Sequence, residues 1–113
     1  MNNLRQKFLS KTLQIAYHLL YHQSAWAYDT VADIVSLGSW QEWVRCILPL
    51  VDGERVLELG FGPGHLQRWL TESGIAAFGV DSSPQMARRA KKQAAHLCLA
   101  YAQKLPYPTA SFD

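Results

Sequence analysis

A chain of 113 residues that is 49% hydrophobic and 18% charged holds about one domain with a core of its own, which excludes an intrinsically disordered segment. Its net charge of +2 is too small to single out nucleic acid or another polyanion as a partner. The two cysteines, Cys46 and Cys98, both lie inside apolar stretches, so they read as buried free thiols in a reducing, cytoplasmic compartment.

The stretch MNNLRQKFLSKTLQIAYHLLYHQSAWA shares three features with a signal peptide: early Arg5, Lys7 and Lys11, an apolar middle, and Ala25-x-Ala27. Gln14 and His18 interrupt that middle. Leu4, Phe8, Leu9, Leu13, Ala16, Tyr17 and Leu20 recur instead at helical spacing, which predicts an amphipathic helix packed on the domain. Weak docking on a membrane surface through this helix is the alternative use of the same face. No segment is long and apolar enough to span a bilayer.

Next, YDTVADIVSLGS predicts a short helical or irregular segment ending at Gly38-Ser39. Ser39 with Glu42 forms a capping box, ahead of a helical stripe of Trp40, Trp43, Val44, Ile47 and Leu48. Asp52-Gly53 marks a turn, and RVLELG then reads as a strand covered on both faces, as in a parallel sheet. A helix is expected from about Gly64 to Glu72, with Leu66, Trp69 and Leu70 inward and Gly74 as its stop. IAAFGVD is a second strand ending at Asp81. Ser82 or Ser83 caps a third helix with Pro84 in its first turn. The cations of that helix (Arg88, Arg89, Lys91, Lys92) read as a solvated face, and no nucleic-acid partner is expected. A third strand over Leu97–Ala102 precedes the proline-rich QKLPYPTASFD. This alternation predicts an α/β fold with a Rossmann-like, doubly wound parallel sheet.

Gly60, Gly62 and Gly64 occupy the first strand-to-helix turn, where such sheets bind ligands and where backbone without Cβ atoms lets a ligand approach closely. Asp81, about twenty residues on, lies where a carboxylate accepts both hydroxyls of a ribose. Glu58 lies inside the strand, a costly place for a carboxylate without a cationic or hydrogen-bonding partner. A dinucleotide fingerprint would put its third glycine at the position of His65, and Pro63 removes an amide that a pyrophosphate would use. The helix start suits one small carboxylate better than two phosphates.

VLELGFGPG, GVDSSPQMARRA and AQKLPYPTASFD, in this order and spacing, resemble the first three motifs of class I S-adenosylmethionine-dependent methyltransferases. The likeness is greatest to the small-molecule group that includes ubiquinone and menaquinone biosynthesis. It implies a helical lead-in over residues 1–50 and the cofactor-binding half of a Rossmann-like methyltransferase domain over 51–113. S-adenosyl-L-methionine would be the cofactor and a small molecule the methyl acceptor. Glu58 would hold the glycine loop and the methionine amino group. Gly60, Phe61 and Gly62 would line the methionine and ribose, with Gly64 in the same loop. Asp81 would take the ribose hydroxyls, Ser82 and Met86 the adenine face, and Ala102 and Gln103 the adenine edge; Met86 also reads as ordinary core. The family often has an acidic residue before that alanine, where this chain has Tyr101, so Gln103 or a backbone carbonyl would meet the adenine amine. Tyr21, Trp26 and Tyr28 would either form an aromatic lid or pack among the N-terminal helices.

The implied reaction is in-line displacement at a sulfonium methyl, for which the protein mainly aligns donor and acceptor. No residue is assigned as catalytic base and no metal is called for; His65 reads as a locally hydrogen-bonded helix-start residue. The family's sheet has strand order 3-2-1-4-5-7-6, and the likeness stops where the fourth strand begins. The chain is therefore expected to be a fragment or truncated product, incomplete and inactive alone, with its first strand an exposed edge open to self-association. A non-catalytic partner module with this fold, and an NAD-dependent oxidoreductase domain, are the competing readings.

Overall fold

The computed structural model describes residues 2–19 and 25–113. The sequence readings at Leu20 and Tyr21 lie outside the described residues. Eight main elements follow in order: α1 (Asn2–His18), α2 (Tyr28–Val35), α3 (Trp40–Arg45), β1 (Arg55–Leu59), α4 (His65–Glu72), β2 (Ala76–Asp81), α5 (Pro84–Ala90) and β3 (Leu97–Leu99). The three strands form one parallel sheet in the order β1-β2-β3, with Leu59 opposite Val80 and Val80 opposite Cys98. β2 is therefore the centre of the described sheet. Ala77 and Val80 of β2 are buried, as are Trp69 and Leu70 of α4 and Met86 and Ala90 of α5; the two strand residues point to opposite faces of the sheet. On the face that Phe78 shares with Val80, the Phe78 ring meets His96 at 4.8 Å and Phe112 at 5.4 Å, so the proline-rich stretch folds back over β2. The Arg55 guanidinium lies over the rings of Phe78 and Phe112.

Two glycines set how closely these layers approach. Gly64 has φ +93°, and a Cβ there would sit 2.9 Å from the Cα of Ala90, so α4 and α5 meet almost backbone to backbone. A Cβ on Gly79 would sit 2.8 Å from Cδ1 of Phe61, the space that lets the Phe61 ring fold inward over β2. Helix α5 starts at Ser83, not Ser82: the Ser83 hydroxyl accepts from the Met86 N–H at 3.3 Å, with Pro84 at the first helical position.

Several expectations are corrected. Helix α1 does not pack a face on the domain; Leu4 is 80% and Phe8 75% exposed. Helix α3 stops at Arg45 instead of carrying its stripe to Leu48, because the ring of Pro49 clashes with a carbonyl four residues back and offers it no N–H. The capping box does not form: Ser39 has φ −94° and ψ 0°, outside the extended geometry that turns a hydroxyl toward the first turn. β1 is half-buried, since it has a strand partner on one side only among the described residues. β3 ends at Leu99 and not Ala102, because its partner β2 ends at Asp81 and turns into α5. Cys46 is exposed and Cys98 half-buried, both unpaired, so neither is the buried thiol expected.

Candidate functional site

The turn from β1 into α4 is held from two sides. The Gly60 N–H donates to the Val80 carbonyl at 2.8 Å, and the Gly62 N–H donates to Oδ2 of Asp81 at 2.9 Å. The other carboxylate oxygen of Asp81 accepts from the Ser83 N–H at 2.9 Å. Asp81 thus joins the glycine loop to the start of α5, and it is only 3% exposed. This structural duty was not foreseen; an acidic residue ending a strand beside a glycine loop and a serine cap is the signal that could have shown it.

Two clefts open on this loop and share Gly60 as a lining residue. The first, of about 240 Å³, runs past Asp81, Ser82, Ala102 and Gln103, and is completed by Tyr17, Val80, Ala100 and Tyr101. The second, of about 110 Å³, is lined by Glu58, Phe61, Gly62 and His65, and closed by Tyr28, Trp40, Val44 and Leu66. Of the ten residues singled out in the sequence, eight line one cleft or the other. Gly64 and Met86 do not: Gly64 is spent on the α4–α5 contact and Met86 is fully buried core. Tyr17 at the end of α1 was missed, since nothing in its helical spacing distinguishes it from its neighbours.

Glu58 carries the unusual electrostatics of the site. Burial pushes its carboxyl up to about 7; a hydrogen bond from Gln67 opposes that rise, and nearby Asp81 adds to it. That bond runs from Nε2 of Gln67 to Oε2 of Glu58 at 2.9 Å, and the same Nε2 donates to the Phe78 carbonyl at 3.1 Å. Gln67 is wholly buried. Its signal in the sequence was a polar residue on the inward side of a helix otherwise lined by Trp69 and Leu70.

His65 is not bonded locally as expected. Its Nε2 meets Oδ1 of Asp29 at 3.1 Å, across 36 positions of sequence, and its ring stacks on Trp69 at 6.0 Å. The second oxygen of Asp29 accepts from Nη2 of Arg89 at 3.0 Å. Trp26 is 76% exposed and lines neither cleft, whereas Tyr28 lines the second and meets Trp40 edge-on at 6.3 Å. Among the described residues no group of His, Cys, Asp and Glu is placed to hold a metal ion.

Comparison with known proteins agrees with this geometry. The methyltransferase-domain family matches residues 57–113, half of the chain and the whole span of the glycine loop, Asp81 and Gln103. The chain belongs to this methyltransferase family. The chain is 31% identical over 99 residues to the demethylmenaquinone methyltransferase of Beutenbergia cavernae, covering 83% of this chain and 41% of that protein. It is 32% identical over 101 residues to that of Tropheryma whipplei, covering 83% and 42%. An uncharacterized methyltransferase of Synechocystis sp. is 32% identical over 100 residues, covering 81% and 47%. This chain thus spans less than half the length of these curated relatives. Among solved structures, an S-adenosylmethionine-dependent methyltransferase of Thermotoga maritima, described as a possible histamine N-methyltransferase, aligns with TM-score 0.50 and 24% identity over 90% of this chain and 41% of that one. That likeness shows the Rossmann-like α/β fold of this chain.

Proposed function

We propose that this chain is the cofactor-binding portion of an S-adenosylmethionine-dependent methyltransferase acting on a small-molecule acceptor. One observation carries the reading: a half-buried carboxylate, Glu58, with a neutral amide as its hydrogen-bond partner, sits in a cleft that shares Gly60 with a second, larger cleft. A carboxylate in that state gains most from a cation, and the ammonium of a methionine is such a cation.

The residues present fit the cofactor. S-adenosylmethionine supplies, when bound, an electrophilic methyl on a sulfonium. Glu58 would take the amino group, and the Gly60 backbone would lie near the sulfur, at the residue the two clefts share. Asp81 and Ser82 would face the ribose, and Ala102 and Gln103 the adenine edge. Phe61 serves as backbone here, since its ring is folded onto Gly79. Tyr28 and Trp40 would exclude water from the methionine end and orient the donor, which is the main task of a protein in displacement chemistry. The relatives named for demethylmenaquinone support an acceptor of quinone type. Residues 51–113 would act as the cofactor-binding half and 1–50 as its lead-in.

The two unpaired thiols support a cytoplasmic setting. Helix α1, with Arg5, Lys7 and Lys11, no acidic residue in its first turn and Leu4 and Phe8 exposed, supports a weak contact with a membrane surface. Among the described residues no helix is long and apolar enough to cross a membrane.

Calorimetric titration with S-adenosylhomocysteine and, separately, with NADH tests the proposal. Binding of the first at micromolar concentration and none of the second is expected. Binding of NADH alone, or of neither, overturns it.

A further inference from the structure

Helix α2 is poorly secured by burial. Ala32 is its one buried residue, while Ile34 is 68% and Val35 75% exposed. Yet Tyr28, at its first position, forms a wall of the cleft that holds Glu58. Apolar burial on this scale does not fix the position of an eight-residue helix, because helix stability in proteins comes mainly from the packed face. Something else must locate it.

Asp29 is adjacent to Tyr28 and spends both carboxylate oxygens on other elements. One meets Nε2 of His65 at the start of α4 at 3.1 Å, and the other accepts from Nη2 of Arg89 in α5 at 3.0 Å. All three side chains are at most one-third exposed, which sets this cluster apart from a solvated surface pair. His65 is further fixed by stacking on Trp69 and itself lines the cleft. Its anchors are the two helices that Gly64 and Ala90 bring together, where a Cβ on Gly64 would sit 2.9 Å from the Ala90 Cα. The carboxylate therefore ties the lead-in to a rigid base at the point where the lead-in enters the site.

We propose that Asp29 is a positioning residue: its carboxylate bolts α2 onto α4 and α5 through His65 and Arg89, and so holds Tyr28 as the wall that closes the methionine end of the cleft. This rests on the methyltransferase reading and adds to it a residue of the lead-in, outside the three motifs, that governs one end of the cofactor and not the other. Asp29 acts through Tyr28 and touches no reacting atom.

The test compares two nucleosides on the whole chain. S-adenosylhomocysteine carries the amino-acid part and 5′-methylthioadenosine lacks it. Asp29→Asn, which puts an amide where Arg89 needs an acceptor, is expected to weaken the first by about tenfold and leave the second within about twofold. Arg89→Gln should do the same, and the double variant should lose no more than either alone, the mark of one shared interaction. Hydrogen exchange supplies a readout independent of ligand: α2 amides should exchange faster in both variants while those of β2 are unchanged. Tyr28→Ala should reproduce the ligand-selective loss without speeding exchange in α2.

Equal loss for both nucleosides, or loss for neither, overturns the proposal, as does unchanged exchange in α2. If Asp29→Asn does not fold, seen as faster exchange in β2 as well, Arg89→Gln decides by the same comparison. If the unmodified chain binds neither nucleoside, the methyltransferase reading fails, and the exchange of α2 against β2 still decides whether the bolt exists.

Discussion

Between the ordinary carboxyl value of 4.5 and about 7, Glu58 keeps its proton in the folded chain and loses it in the unfolded one. A raised value in the folded state means that folding stability is full below 4.5 and declines as pH rises to about 7, where the buried carboxylate must ionise. The loss is at most about 3 kcal/mol, since Glu58 keeps some contact with solvent. Glu58→Gln is therefore expected to raise the melting temperature at pH 8, to change it little at pH 4.5, and to weaken S-adenosylhomocysteine binding at both. Melting curves that shift equally at the two pH values would show that burial of the charge is not the cause. The two carboxylates of the site differ in their partners. Asp81 is more deeply buried than Glu58 and accepts backbone N–H groups from Gly62 and Ser83, whereas Glu58 accepts from a side-chain amide. Both residues were singled out in the sequence by position, one inside a strand and one at a strand tip. Which carboxylate takes backbone donors and which takes a buried amide depends on the start of α5 and on Gln67 of α4, for which the sequence holds only weak signals.

The elements read most accurately were α4, β2 and α5, whose boundaries are set by local chemistry: glycines flanking α4, an apolar run in β2, a serine and proline opening α5. The α4–α5 contact is tight enough to test directly. Gly64→Ala places a methyl against the Ala90 backbone and forces a left-handed φ on a non-glycine residue, so a loss of about 2–4 kcal/mol is expected from urea unfolding. A loss below about 1 kcal/mol would mean that α5 can retreat from the loop at little cost. The helices upstream were read less well. For α3 the apolar stripe predicted a longer helix, and one proline ended it; Trp43 and Ile47 consequently face solvent at 57% and 45% exposure. The local signal of a capping box at Ser39 also gave way, because the turn from α2 had already put that serine in the wrong backbone geometry.

As a whole the molecule is more open than its length requires. Its radius of gyration is 15.9 Å, against about 13 Å for a compact domain of this size. Its accessible surface is 8175 Å², against about 6300 Å² for a folded monomer of this mass. Helix α1 and the outer edge of β1 account for much of this, and Leu59 on that edge is 54% exposed. Asp113 lies along it, its N–H donating to the Arg55 carbonyl and its carboxylate accepting from the N–H groups of Glu54 and Arg55. A strand edge with exposed apolar side chains pairs with other chains. Self-association that grows with concentration is expected in light scattering, and Leu59→Lys should reduce it. A mass independent of concentration, or one that Leu59→Lys leaves unchanged, would place the association elsewhere or remove it.

Local chemistry determined the parallel α/β order, the glycine turn, the two carboxylates and the likeness to methyltransferases, because strand and helix periods, caps and close-approach glycines are written in neighbouring residues. Tertiary structure alone decided the rest. It set Asp29 between His65 and Arg89, gave Gln67 to Glu58, brought Tyr17 to one cleft and Tyr28 to the other, and left Leu4, Phe8, Leu9 and Leu13 of α1 exposed. Apart from the Gln67–Glu58 bond, which spans nine positions, those outcomes depend on contacts between residues tens of positions apart, and no short window of the chain contains them.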